Sequence, residues 1–283
     1  MGGTGVGGTG AGGTGMTAAG TAPVEEASFL GQHLALLDVP EAAAVIAARP
    51  PGLPFAYVVT PNAQHFVRLG RLRDARFQAA YDAAWLRLSD SRVACGLARL
   101  LFGLQLKQAA GSDLTHYMLH NTIRPDDAVT VIGGDETLRL RLVEKFGLRR
   151  LALHAPPMGL AGKPDEQQRC LDFVARHPAR YVFLAVGAPT SEYLSHRIAA
   201  EGRSVGVGLC IGSSLHFATG LVNRAPPIYR RLGLEWLHRL LINPRGHAKR
   251  VFVDSLPMLL MVLRQRLNPR AYDRPGSGTE HRR

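Results

Sequence analysis

The chain has 283 residues, 46% of them hydrophobic, enough for a substantial core in one large domain or two modest ones, which excludes a wholly disordered protein. Its formal charge of +12 implies an anionic partner, and position narrows the choice: residues 224–283 hold 13 Lys/Arg against 4 Asp/Glu, so most of the excess sits in the last fifth of the chain. No apolar run reaches the roughly 18 residues needed to cross a bilayer, and three scattered cysteines, Cys95, Cys170 and Cys210, suggest neither a disulfide framework nor a zinc site.

In chain order, residues 1–22 carry a Gly/Thr repeat, GGTGVGGTGAGGTG, whose glycines are costly to order and whose side chains offer no core; a disordered tail is expected. It is not read as a phosphate loop, because no Gly-Lys-Ser/Thr follows and no strand precedes. The start also lacks the basic segment followed by an apolar one that a secretory leader needs, so a location in a reducing cytoplasm is expected.

Within residues 23–222, short Val/Ile-rich runs alternate with longer amphipathic segments, the pattern of an α/β fold. Strands are predicted over 56–60, 86–88, 129–133, 151–154, 181–187 and 205–211, and helices over 63–84, 113–121, 136–146, 166–177 and 192–201. The expected architecture is a Rossmann-like, parallel-rich sheet with flanking helices, which places ligands at the carboxyl ends of the strands. Residues 223–268 read as a basic helical appendage, with helices over 228–241 and 249–267, the second kinked at Pro257. Its apolar middle between arginines suits either a membrane surface or an ordinary core contact. A second disordered tail is expected over residues 269–283.

Several turns on the expected ligand edge carry chemistry-bearing residues. Thr60-Pro61-Asn62 joins a strand to a helix, where Thr60 or Asn62 caps the helix or its free N–H groups face an anion. Asp90 follows the short second strand, where a carboxylate can take a proton from a hydroxyl, although a turn residue has the same look. Gly111-Ser112-Asp113 is a helix start with Ser112 or Asp113 as cap. Gly133-Gly134 and Gly187-Ala188-Pro189, the latter followed by Ser191 and Glu192, are turns whose glycines allow close approach of a phosphate. His116 and His120 stand four apart but lack a third ligand, so no metal and no cofactor are expected.

Taken in order, VVTPNAQHFV, LRLSDS, AAGSDLTHYML, VIGGDETL, FLAVGAPTSE and VNRAPPIYRRLGLEWLHRLLINPRGHAKR resemble the WecG/TagA/CpsF glycosyltransferase family along nearly all of the chain after residue 50. The resemblance implies an inverting, metal-independent transfer of an N-acetylmannosamine- or glucose-type sugar from a UDP-sugar donor to a polyprenyl-diphosphate-linked glycan acceptor, in cell-envelope or extracellular polysaccharide synthesis. It implies Asp90 as general base, with Thr60 and Asn62 positioning the reacting sugar. Gly111, Ser112, Asp113, Gly133, Gly134, Gly187, Pro189, Ser191 and Glu192 would then line the donor site, with Arg224, Arg231, Glu235 and Arg239 closing it and the arginines holding diphosphate. It further implies peripheral attachment to an anionic membrane surface on the cytoplasmic side. The chain departs from the family pattern at Ser91, Ser191 and His216, which keeps a weakly active nucleotide-sugar binder as an alternative. A nucleic-acid binder, favoured by charge alone, is not expected without a stacking array or a reading helix.

Overall fold

Short apolar runs such as AYVV, AVTVI, YVFL and VGLC have no polar face to offer water, so each suits a strand covered on both sides. In the computed structural model, which describes residues 24–71, 74–223, 226, 228–229, 235–242, 244 and 256–272, they form the middle of a six-stranded, all-parallel sheet. The strands are β3 (Ala56–Val59), β4 (Leu86–Arg87), β5 (Ala128–Ile132), β6 (Arg150–His154), β7 (Tyr181–Leu184) and β8 (Val207–Cys210), in the order β4-β3-β8-β7-β5-β6. Alternation along each strand splits the core. Val58, Val131, Phe183 and Leu209 face one layer, while Tyr57, Val59, Val182 and Leu184 face the other.

The first layer contains α1 (Val39–Ala48), α5 (Gly111–Asn121), α6 (Glu136–Phe146) and α9 (Ser214–Thr219), through residues such as Ile46, Leu114, Leu138 and Leu215. The second contains α3 (Ala75–Asp82), α7 (Pro164–Arg176) and α8 (Thr190–Glu201), through Phe77, Tyr81, Leu171, Leu194 and Ile198. From β5 the chain crosses through α6 to β6, whereas from the adjacent β7 it crosses through α8 to β8 in the opposite direction. Loops that diverge in this way open a crevice between β5 and β7 at their carboxyl ends.

A third apolar cluster stands apart from these layers. It joins a hairpin, β1 (Glu26–Phe29) and β2 (Gln32–Ala35), to α2 (Ala63–Gly70), α4 (Arg92–Phe102) and α11 (Pro257–Leu267) through Phe29, Leu34, Phe66, Ala94, Met258 and Val262. The two ends of the described chain meet here: the Leu30 N–H donates to Gln265 Oε1 at 3.2 Å, and Gly31 lies against the Tyr272 carbonyl.

The α/β expectation holds, with differences in the elements. The single helix expected over 63–84 is two, because Asp74 caps a new helix by accepting the Phe77 N–H at 3.0 Å. The hairpin, α1, α4 and α9 were not among the predicted elements. The capping box of Asp38 and Glu41 before α1, and Ser91 and Gly103 at the ends of α4, are sequence signals that mark two of them. α5 begins at Gly111, with Ala110 in the cap position and no side-chain cap, so neither Ser112 nor Asp113 fills that role. α8 begins at Thr190 and takes both Ser191 and Glu192 into its first turn. Pro257 stands in the first turn of α11, where its missing N–H costs no hydrogen bond, and the part of the expected helix that precedes it, residues 249–255, lies outside the described residues. The Gly/Thr-rich segment, residues 245–255 and residues 273–283 lie outside the described residues.

Candidate active site

All six strands of the sheet end on one edge, and the chemistry-bearing turns of the sequence collect there. At the β3 end, Asn62 caps α2 by accepting the Gln64 N–H at 3.0 Å and the His65 N–H at 3.3 Å. One strand over, Asp90 is held through its backbone, its N–H donating to the Pro61 carbonyl at 3.1 Å and its own carbonyl accepting from Gln108 Nε2 at 3.2 Å. The Asp90 carboxylate accepts the Gly111 N–H at 3.2 Å. Gly111 in turn lies against Thr60, where an added Cβ would stand 2.9 Å from the hydroxyl oxygen. Thr60, Asp90 and Gly111, drawn from three different turns, therefore meet at one place, and Asp90 keeps a half-buried carboxylate facing it.

Three and four strands from β4, the glycine turns occupy the divergence of β7 and β5. Gly133 has φ +113° and its missing side chain lets β5 run directly against β7: a Cβ there would fall 2.8 Å from the Ala185 carbonyl oxygen. Asp135 follows and caps α6, accepting the Leu138 N–H at 2.8 Å. Across the gap, Gly187 and Pro189 lead into α8, fixed by the Ser191 N–H donating to the Gly187 carbonyl at 2.9 Å. Between the two groups lies the turn after β8, residues 211–213, which sequence reasoning passes over. Its signal is a Gly-Ser-Ser following an apolar strand. The helices α2, α4, α6, α8 and α9 all begin on this edge, and their free N–H groups make it attractive to negative charge.

Other expected site residues fall differently. Ser112 and Asp113 are half-buried in the first turn of α5. Ser191 and Glu192 are turned inward, 1% and 2% exposed, and the Ser191 hydroxyl donates to the Leu184 carbonyl at 3.1 Å. Beneath them His65 Nδ1 and the Tyr81 hydroxyl share a hydrogen bond of 2.8 Å. Arg224 and Arg231 lie outside the described residues. Glu235 and Arg239 fall in α10 (Glu235–Ile242), but their side chains are also outside them. His116 and His120 lie against each other with ring centroids 4.1 Å apart and planes tilted by 46°. Among the described residues, no three His, Cys, Asp or Glu side chains are grouped to hold a metal ion.

The glycosyl transferase WecG/TagA/CpsF family model matches residues 27–272, from the hairpin through the whole sheet to the end of α11. The chain belongs to the WecG/TagA/CpsF family. It is thus a glycosyltransferase, and the edge carrying Asp90 and the glycine turns is its candidate active site. A similar protein from Bacillus spizizenii strain W23, named N-acetylglucosaminyldiphosphoundecaprenol N-acetyl-beta-D-mannosaminyltransferase, is 27% identical over 194 residues, covering 67% of this chain and 72% of that protein. The family thus extends over the hairpin and α11 as well as the sheet, a span beyond the part of the chain in which the sequence motifs cluster.

Proposed function

We propose that the chain transfers an N-acetylmannosamine- or glucose-type sugar from a UDP-linked donor to a polyprenyl-diphosphate-linked acceptor carrying N-acetylglucosamine, with inversion and without a metal. The observation that carries this reading is the meeting of the Asp90 carboxylate with Thr60 and Gly111 on the same edge as the glycine turns. The donor diphosphate lies over residues 133–134 and 187–189, with its sugar toward Thr60 and Asn62. Asp90 takes the proton of the acceptor hydroxyl, and the oxygen attacks the anomeric carbon from the face opposite UDP. The bond to the UDP oxygen then breaks and UDP leaves with the electron pair. Its charge is met by backbone N–H groups at the helix starts and by Arg224, Arg231 and Arg239, whose forked guanidinium groups suit a diphosphate.

The acceptor side has its own support. Residues 256–267 expose Leu256, Leu259, Leu260, Leu263 and Leu267, while Met258 and Val262 are buried against α2 and α4. Arg264 and Arg266 close the helix, and Leu100 of α4 is exposed as well. α4 starts from the Asp90 turn, exposes Val93 and Leu100 along its length and packs against α11, which connects the apolar surface to the turn of the proposed base. Such a surface suits peripheral attachment to anionic lipid on the cytoplasmic face, delivering a lipid-linked acceptor to Asp90. No helix among the described residues is long and apolar enough to cross a membrane. The double variant Leu260→Asp/Leu263→Asp is expected to lose most co-sedimentation with phosphatidylglycerol vesicles while melting within a few degrees of the parent, since both side chains already face solvent. Unchanged sedimentation would move the contact elsewhere.

A second reading, a nucleotide-sugar binder with little turnover, is favoured by Ser191, whose hydroxyl is committed to the Leu184 carbonyl. One assay separates the two: UDP release from a panel of UDP-sugars, with and without polyprenyl-diphosphate N-acetylglucosamine, alongside donor binding. Acceptor-dependent release with one donor is expected. Binding without release would favour the second reading, and absence of binding would remove the nucleotide from the crevice.

A further inference from the structure

Glu192 is a carboxyl group in a dry place. It is 2% exposed, and its Oε2 has no hydrogen-bond partner, while the Glu192 backbone N–H and the distant Arg68 provide the stabilising contacts it has. The groups that face it are Tyr57 from β3, Tyr81 from α3 and Cys210 from the end of β8, with Arg68 and the Tyr81-bonded His65 on α2. Cys170 of α7 belongs to the same apolar layer. Arg68, the cation in electrostatic reach, is already paired with Asp74 at 2.5 Å and lies over the Phe77 ring. An ionised carboxylate left so poorly compensated is costly, and a buried one normally takes a proton instead. Burial accordingly pushes the Glu192 carboxyl up to about 7.

Its position gives that proton a use. Glu192 stands in the first turn of α8, three residues past Pro189, under the turn that borders the crevice. Its neighbour Ser191 is tied to that turn by an N–H donated to the Gly187 carbonyl at 2.9 Å and a hydroxyl donated to the Leu184 carbonyl at 3.1 Å, so Glu192 stands directly behind the glycine turn. We propose that Glu192 is a proton-holding group coupled to the crevice, so that an anionic diphosphate docking above it draws a proton onto the buried carboxyl. The idea rests on the nucleotide reading of the crevice. It assigns Glu192 a part played through charge, without contact with the ligand.

The sign follows from like-charge repulsion. A diphosphate nearby disfavours the ionised carboxylate, so the proton is held more tightly in the complex than in the free protein. Binding near and above neutral pH therefore takes up a proton, and affinity falls as the pH rises through 7 to 8 in the free protein. Below about pH 6 Glu192 is already protonated and the coupling vanishes.

The test is calorimetry of UDP binding in buffers of different ionisation enthalpy, on the parent chain and on Glu192→Gln, which copies the shape of the protonated side chain. At pH 7.5 the parent is expected to take up roughly half a proton more per nucleotide than Glu192→Gln, shrinking toward zero at pH 5.5. The nucleotide's own phosphate, with a second pKa of about 6, contributes equally to both and cancels. At pH 8.5 Glu192→Gln is expected to bind UDP roughly three- to ten-fold more tightly than the parent, an effect that loss of a merely structural residue would not produce. Equal proton counts in the two proteins at pH 7.5 would overturn the proposal while leaving the nucleotide reading standing. Failure of both proteins to bind UDP would sink that reading and this proposal together.

Discussion

Asp90→Asn is expected to lower turnover by about 100- to 10,000-fold while leaving the fold and the UDP affinity close to those of the parent. The change deletes the proton acceptor but keeps an oxygen where Asp90 Oδ1 now takes the Gly111 N–H at 3.2 Å. The backbone bonds of residue 90 to Pro61 and Gln108 do not involve the carboxylate and survive as well. Asp90→Ala removes both the base and the anchor of α5, so it is expected to lose activity and also to melt lower, by the cost of an unpaired N–H, about 1–3 kcal/mol. The comparison of kcat at saturating acceptor with thermal melting separates the two roles. If Asp90→Asn retained turnover within ten-fold of the parent, Asp90 would be an anchor for Gly111 and the base would have to be sought elsewhere.

Gly133→Ala is expected to damage both stability and nucleotide binding. The residue has φ +113°, a conformation that residues with a side chain rarely adopt, and its new methyl would meet the Ala185 carbonyl carbon at 2.9 Å as well as the oxygen at 2.8 Å. Backbone strain and overpacking each cost about 1–3 kcal/mol, so a loss of about 2–6 kcal/mol and a melting point lower by roughly 5–20 °C follow. Relief of the clash separates the ends of β5 and β7, and UDP affinity is expected to fall at least about ten-fold. Gly103→Ala is the control, because Gly103 has a positive φ of +69° with nothing within 4 Å of an added Cβ. Melting points for the two variants within about 2 °C of each other would show that the close approach of β5 to β7 contributes little.

What the sequence made legible follows from what periodicity encodes. The strands of the sheet are doubly buried apolar runs, so their existence and their alternation with helices are written in composition. The meeting of Thr60, Asp90 and Gly111 is not, because it depends on the pairing of β3 with β4 and on where α5 starts, which are tertiary facts. The Asn62 cap is legible because a polar residue after a strand has few other uses there. Ser191 and Glu192 were placed on the ligand edge by their distance from Gly187, yet α8 starts two residues earlier than the sequence suggests and both side chains turn into the core. A buried Glu in an amphipathic helix reads as a surface residue until its surroundings are known. The hairpin was missed for a related reason: its two strands, four residues each, are too short for alternation to register.

The contact between Leu30 and Gln265 also dictates an order of assembly. Phe29, Leu34 and Phe66 are covered by Met258 and Val262, residues that leave the ribosome only after the entire sheet has been synthesised. This apolar surface is therefore made before the sheet but closed only after it, and until then it stays available to chaperones or to mispairing. A nascent chain released before residue 258 lacks that cover, whereas the six strands, complete by residue 210, can form without it.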